Sequence, residues 1–314
     1  MKDIIDQPIF LIGSERSGTT LLRLMLDHHP DLAFNLESEY MVTQIADNGR
    51  FPEMGEYRDF LASNRVFKHS HFTIDTTLEF RELLNDFLVQ KQRRDGKSRV
   101  GATVHYQFRK LGFVWPNAKY IYLYRDGRDV ANSVVKMGWR GNQYQAADLW
   151  LEAENEWAEW KSKIFDDNWI EVKFENLTEN PQKELQRICD FLGVLYTEQM
   201  FDYVGHSSYK MPNPNMNYQW KKSKSYDIQL IESKIAQNLL SRGYELSGLA
   251  VLNVSNYRKA ILRADSRLRA YLFKIKRYGI LLPLGETLTR KLGLKEINKK
   301  MNIAISRIND MYLQ

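Results

Sequence analysis

The chain predicts a three-layer α/β fold, a central parallel sheet flanked by helices, followed by a helical C-terminal extension. Three observations carry this expectation. Short β-rich apolar runs alternate with helix-period stretches through residues 8–193. The first of these runs, Pro8–Ile12, stops at Gly13, crosses a small polar loop, and passes into a pattern with Leu21/Met25 and Leu22/Leu26 four apart. The 314 residues are 43% hydrophobic, enough for a full core, yet no apolar run approaches the roughly 20 residues of a bilayer span.

The loop after the first strand, Gly13-Ser14-Glu15-Arg16-Ser17-Gly18-Thr19-Thr20, has two glycines that let backbone N–H groups turn inward, and a helix whose positive end follows. Gly13, Arg16, Ser17, Gly18, Thr19 and Thr20 are therefore anion-binding candidates in a P-loop-type arrangement. In the nucleoside-triphosphate version a Lys follows the second Gly. Here Thr19 stands there and Arg16 is the loop's cation, which suits a compact anion held bidentately better than a metal-bound polyphosphate.

Next come the helix end at His28-His29-Pro30-Asp31 and a second strand, Leu32–Leu36. Glu37 and Glu39 lie directly behind it, at the strand edge where open α/β sheets collect ligands, and Glu37 is preferred over Glu39. Residues 41–77 read as mixed and loop-like, and 78–92 as an amphipathic helix. Val100–His105 is a short strand that delivers His105 either to the ligand or to a hydrogen-bonded place in the core. Ala118–Tyr124 is a strand, Arg125 sits at its carboxyl end, and Ser133 lies on the helix that follows, so both could reach a second phosphate; a salt-bridged turn built on Asp126 and Asp129 is the rival reading. A tryptophan-striped helix covers Gln145–Phe165 and a strand covers Trp169–Glu175. The next helix has Asn180 as N-cap and Pro181 at its first position, and it stops at Gly193. Residues 205–226 form a long polar segment, and 228–242 return to helix.

Charge divides the chain unevenly. Of the net +6, residues 256–314 carry +10, from 14 Lys/Arg against 4 Asp/Glu, which leaves −4 for residues 1–255. A 1–250 catalytic domain and a basic helical extension over 251–314 are expected. The extension should serve helix packing or contacts between copies, with an interfacial helix on anionic lipid as the alternative. No nucleic-acid motif accompanies the charge. The single cysteine, Cys189, reads as a buried inert thiol in a helix, and this usage, with no leader-like start, suits a cytoplasmic protein.

Three stretches together resemble the PAPS-dependent sulfotransferase family, nearest its bacterial, carbohydrate and protein-tyrosine branches. They are Arg16–Leu22; Tyr124–Val130 with Ser133; and Phe174-Glu175-Asn176-Leu177 followed by Asn180-Pro181 and Phe191–Gly193. The resemblance implies that the first loop takes the 5′-phosphosulfate of PAPS and that Arg125 and Ser133, eight apart, take the 3′-phosphate, PAP being the product. It also implies that Glu37, at the protein-tyrosine branch's distance from Arg16, is the general base. That role is worth about 10²–10⁴-fold. Arg16 would stabilise the charge developing on the leaving phosphate. The sequence departs from the family in one place: Arg99–His105 contains no lysine where many members carry one, and His105 is the nearest group able to donate in its stead. No metal is demanded. The acceptor is expected to be a hydroxyl, on a carbohydrate or glycoconjugate rather than a tyrosine or small phenol. The competing readings are a P-loop kinase or NTPase with an altered lysine position, and a non-catalytic membrane-surface protein.

Overall fold

The computed structural model describes residues 5–294, 297–298, 301–302, 304–305 and 308; the last part of the basic extension lies outside them. In chain order the elements are β1 (Ile9–Ile12), α1 (Thr19–Asp27), β2 (Leu32–Glu37), α2 (Met54–Ser63), α3 (Arg65–Ser70), α4 (Phe80–Asp95), β3 (Arg99–Val104), β4 (Lys119–Tyr124), α5 (Gly127–Lys136), α6 (Gln143–Lys161), β5 (Trp169–Lys173), α7 (Phe174–Glu179), α8 (Pro181–Leu192), α9 (Ser225–Ser241), α10 (Asn256–Tyr278) and α11 (Leu281–Lys291). The chain divides into two compact units. The first holds the described residues up to Asp126 together with Leu149–Gln219, and the second holds Gly127–Asp148 and the described residues from Trp220 onward, residues 251–294 among them.

The first unit is built on a five-stranded parallel sheet in the order β2-β3-β1-β4-β5. Its strands read as continuous apolar runs because both faces are covered. Side chains alternate between them: Phe10 and Ile12 join one core with α4's Leu83, Leu84, Phe87 and Leu88, while Ile9 and Leu11 join another with α1's Leu21, Leu22, Met25 and Leu26. Each such side chain contributes about 1.5–3 kcal/mol on burial. The expected α/β fold with a central parallel sheet is thus present. Because neighbours of β1 were reached by crossovers in opposite directions, the loop after β1 opens where ligands gather in such sheets.

Some elements differ from expectation for local reasons. Residues 41–77 contain α2 and α3, whose inward faces carry only Tyr57 and Leu61, and Phe67 and Ser70, too few positions to show a period. The tryptophan helix ends at Lys161 rather than Phe165, which is exposed before a 3₁₀ turn at Asp166–Asn168. Asn180 occupies the N-cap of α8 without a side-chain capping bond, so Pro181 and the left-handed Gly193 mark the helix ends. Cys189 is buried, and burial pushes its thiol up to about 11. Among the described residues no helix is long and apolar enough to cross a membrane.

In the second unit Tyr144, Leu230, Val254 and Leu262 form a small core. The amide of Asn142 donates to the Leu262 carbonyl at 2.7 Å and to Asp265 Oδ2 at 2.9 Å, and the Gly141 N–H donates to Ser266 Oγ at 2.9 Å. These bonds pin one side of α10.

Candidate active site

Four strands of the first unit deliver the candidate residues to one edge. Taken across the sheet, β2 ends at Glu37, β3 runs into His105, β1 runs into the Gly13–Gly18 loop, and β4 runs into Arg125. Adjacent strands lie about 4.7–4.9 Å apart, so residues scattered over 110 positions become neighbours at that edge.

The loop is shaped by its two glycines. Gly13 has φ 147°, and a Cβ there would lie 2.1 Å from the Leu123 carbonyl oxygen. Gly18 has φ 99°, and a Cβ would meet the Phe174 ring at 2.3 Å. Arg16 itself sits at φ 70°, a conformation that costs a non-glycine residue about 1–2 kcal/mol. Gly18 is the N-cap of α1 and no side chain caps that helix, so the first-turn N–H groups and the dipole remain for a bound anion. Ser17 Oγ is buried and has no partner among the described residues, an orphan that an anion oxygen would satisfy. The loop therefore fits the phosphosulfate end of a nucleotide.

Beside it stands a hydrogen-bonded chain of three side chains. Thr19 Oγ1 is 2.9 Å from His105 Nε2, and His105 Nδ1 donates to Glu39 Oε1 at 2.7 Å. The His105 backbone N–H donates to the same oxygen at 3.2 Å. With Nδ1–H committed to Glu39, Nε2 of the neutral ring accepts from the Thr19 hydroxyl, and Nε2–H of the imidazolium donates to it. Burial lowers the His105 pKa, but the bond to Glu39 and its charge, with Glu37 and Glu15 beyond, act the other way, and the net is a value raised above that of an ordinary histidine. Tyr106, next in the chain, is pushed up to about 12 by burial and by Glu39, Glu15 and Glu37.

Glu37 and Glu39 differ in what they touch. A register shift in the β2–β3 pairing between Asn35 and Glu37 leaves Leu36 and Glu37 both exposed. Glu39 sits in the 3₁₀ turn Glu39–Met41 and is tied to His105. On the other side of the loop, the Arg125 guanidinium lies 4.5 Å from the centre of the Phe174 ring and donates to the Met216 carbonyl at 2.6 Å. Phe174 thus touches both Gly18 and Arg125. Ser133 is on α5, in the second unit, so its pairing with Arg125 rests on the sequence spacing.

The model of the sulfotransferase family matches residues 8–198, more than half of the chain. The chain belongs to the sulfotransferase family. This sulfotransferase is 26% identical over 212 residues to a putative protein-tyrosine sulfotransferase of Caenorhabditis briggsae, covering 63% of the chain and 69% of that protein. It is also 26% identical over 212 residues to protein-tyrosine sulfotransferase A of Caenorhabditis elegans, but spans only about half (52%) of that protein, against 62% of its own length. Among solved structures, the sulfotransferase domain of the Synechococcus PCC 7002 olefin synthase superposes with a TM-score of 0.56 at 21% identity, covering 78% of this chain and 98% of that one, a likeness of fold.

For this sulfotransferase the sequence identified the loop and the strand ends, and it named His105 and both glutamates. It ranked Glu39 low and gave Phe174 no role. Both had a signal: Glu39 lies two residues past Glu37, within one turn of the same strand end, and Phe174 opens the Phe-Glu-Asn-Leu motif. Neither the Thr19–His105 contact nor the Gly18–Phe174 contact is visible without three-dimensional pairing, since 86 and 156 positions separate the partners.

Proposed function

We propose that this enzyme moves a sulfuryl group from PAPS to an acceptor hydroxyl, with the Gly13–Thr20 loop holding the phosphosulfate and Arg16 countering charge on its phosphate. PAPS supplies an activated sulfuryl group. Arg125 and Ser133 are assigned to the 3′-phosphate on their spacing. Glu37 accepts the acceptor's proton: it is exposed at the strand edge, whereas Glu39 is engaged with His105. His105, oriented by Glu39, supplies a hydrogen bond at the loop in place of the lysine absent from Arg99–His105. The observation carrying this reading is the Thr19–His105–Glu39 chain at the loop. Thr19 occupies the position of a P-loop kinase's lysine and is bonded to an imidazole instead, which argues against the kinase alternative.

The expected preference for a sugar hydroxyl gains no support from the relatives. Two carry the name protein-tyrosine sulfotransferase, and those names favour a tyrosine phenol as acceptor. Transfer of radiolabelled sulfate from PAPS to a tyrosine peptide and to a glycan, with Glu37→Ala beside the native enzyme, tests both assignments. Loss of roughly 10²–10⁴-fold in turnover is expected for Glu37→Ala. Near-normal turnover would remove Glu37 as base, and labelling of the glycan alone would return the acceptor to a sugar.

A further inference from the structure

Helix α10 has one buried face and one exposed apolar face. One carries Leu262 and Ser266 and is held within the second unit by Asn142 and Gly141. The other carries Tyr257, Ile261, Leu268 and Leu272, at spacings of four, seven and four, which places them on one stripe of a 3.6-residue helix. All four face solvent: Leu268 is 59% and Leu272 52% exposed, Tyr257 and Ile261 78% and 48%. Helix α11 repeats the pattern with Leu281, Leu284 and Leu288, continued by Leu292 at its C-cap, all exposed and three or four apart. Leucines in such number on an outward stripe are unusual for a surface that meets only water.

The charges say what meets it. In the bands between the two faces of α10 lie Arg258, Arg269 and Lys276 on one flank, and Arg263, Arg267 and Lys274 on the other. Asp265, the acid within this stretch, is already bonded to Arg269 at 2.7 Å and to Asn142. Along the same flank as Arg263 and Arg267 is a cavity of about 330 Å³, lined by these two, Arg140, Trp139 and Gln145. An exposed apolar stripe with cations on both sides, and an arginine-lined cavity at its border, is the pattern of a helix lying in the interface of an anionic bilayer.

We propose that α10 and α11 dock on a membrane bearing anionic phospholipids: the Leu268/Leu272 stripe enters the acyl boundary, and Arg140, Arg263 and Arg267 take a lipid phosphate. The complementarity of ten excess positive charges in residues 256–314 to a negative surface selects lipid over a second, equally basic copy of this stretch.

The test is co-sedimentation of the full chain with vesicles of phosphatidylcholine alone and of phosphatidylcholine mixed with phosphatidylglycerol. Native protein should pellet with the mixed vesicles only, and binding should weaken at about 1 M salt, where screening is nearly complete. Leu268→Gln/Leu272→Gln and Arg263→Glu/Arg267→Glu should each weaken partitioning by roughly tenfold or more. The substituted side chains are on the surface, so thermal unfolding and sulfate transfer to a soluble acceptor should stay as in the native enzyme, which separates this proposal from the assignment of the active site. A native chain left in the supernatant with mixed vesicles overturns the proposal. So does vesicle binding unchanged in both variants, or a native dimer in light scattering that Leu268→Gln/Leu272→Gln dissociates without altering vesicle binding, since a second copy would then cover the stripe.

Discussion

Each unit of the molecule holds a largely buried carboxylate bonded to a nitrogen side chain, and two such pairs differ in the chemistry of their partners. In the first, Glu39 holds His105 at 2.7 Å, and the far nitrogen of the ring reaches Thr19 in the anion loop. In the second, Glu232 holds Arg128 at 2.7 Å, the guanidinium lies 3.6 Å from the centre of the Trp220 ring, and the Trp220 backbone N–H donates to Asp129 Oδ1 at 2.6 Å. Glu232 also accepts from the Ser247 N–H and hydroxyl. The difference lies in the cation. A guanidinium keeps its charge at every pH a cell meets, so the second pair is permanent and can only hold structure. Imidazole changes charge near neutrality, and its second nitrogen is free to transmit the change. The first pair stands at an open sheet edge with a member that titrates, and the second is sealed with a charge that does not.

The sharpest way to break this comparison is to remove the acid from the permanent pair. Glu232→Ala removes from Arg128, 1% exposed, the carboxylate bonded to it at 2.7 Å. Losing one hydrogen bond between a buried charged pair costs about 1.5–3 kcal/mol, so chemical denaturation should show a loss of that size. If the loss stayed below about 1 kcal/mol, the Arg128 cluster would be no more than a surface pair.

How far the two pairs could be read beforehand differs as well. The parallel sheet and the glycine loop announced themselves locally, through the apolar run Ile9–Ile12 and the glycines at 13 and 18. Arg125 and His105 were legible as strand-end residues because a strand's carboxyl end is a property of one segment. The Arg128–Glu232 bond was not legible, since its partners are 104 positions apart and Arg128 sits in a motif that looks like a charged turn. The same holds for Glu39, whose value depends on the turn at Ser38 that points it toward His105, the residue that follows β3. Sequence showed where charge would gather, and only packing decided which member of Glu37 and Glu39 was already engaged.

A smaller effect, but one with a distinctive sign, is expected from Glu39→Gln. In the native protein the His105 pKa is raised, so the pair stabilises the fold in full below the unfolded value of about 6.5 and that contribution fades as pH rises through the folded value. Without the Glu39 charge, burial becomes the main influence and the His105 pKa should fall below the ordinary value. The variant should then lose stability as pH falls below about 6.5, whereas the native chain gains its stability above that pH, as pH falls from the folded value to about 6.5, and holds it below. The groups that remain near the ring are Glu37 and Glu15, with Tyr106 beside them, and they soften the change. Urea unfolding on either side of that pH would show the native protein gaining stability on acidification above it and the variant losing stability on acidification below it, the difference at low pH being about 1–3 kcal/mol. The alkaline limb of the pH–rate profile should move to lower pH in parallel. Equal slopes would mean that Glu39 and His105 are coupled by packing alone.

The smallest change concerns the third member of the chain. Thr19→Ser keeps the hydroxyl that meets His105 Nε2 and removes only a methyl group, whereas Thr19→Val keeps the shape and removes the oxygen. If the hydroxyl is what links ring to loop, Thr19→Ser should retain transfer within a few-fold of native, and Thr19→Val should lose about tenfold, the cost of leaving a buried nitrogen without its partner. A guanidinium pair has no counterpart to this test, because no neighbour of Arg128 depends on which of its nitrogens carries a proton. The reverse ranking, with Thr19→Val the more active, would show that the methyl group's packing matters and that the ring acts independently of the loop.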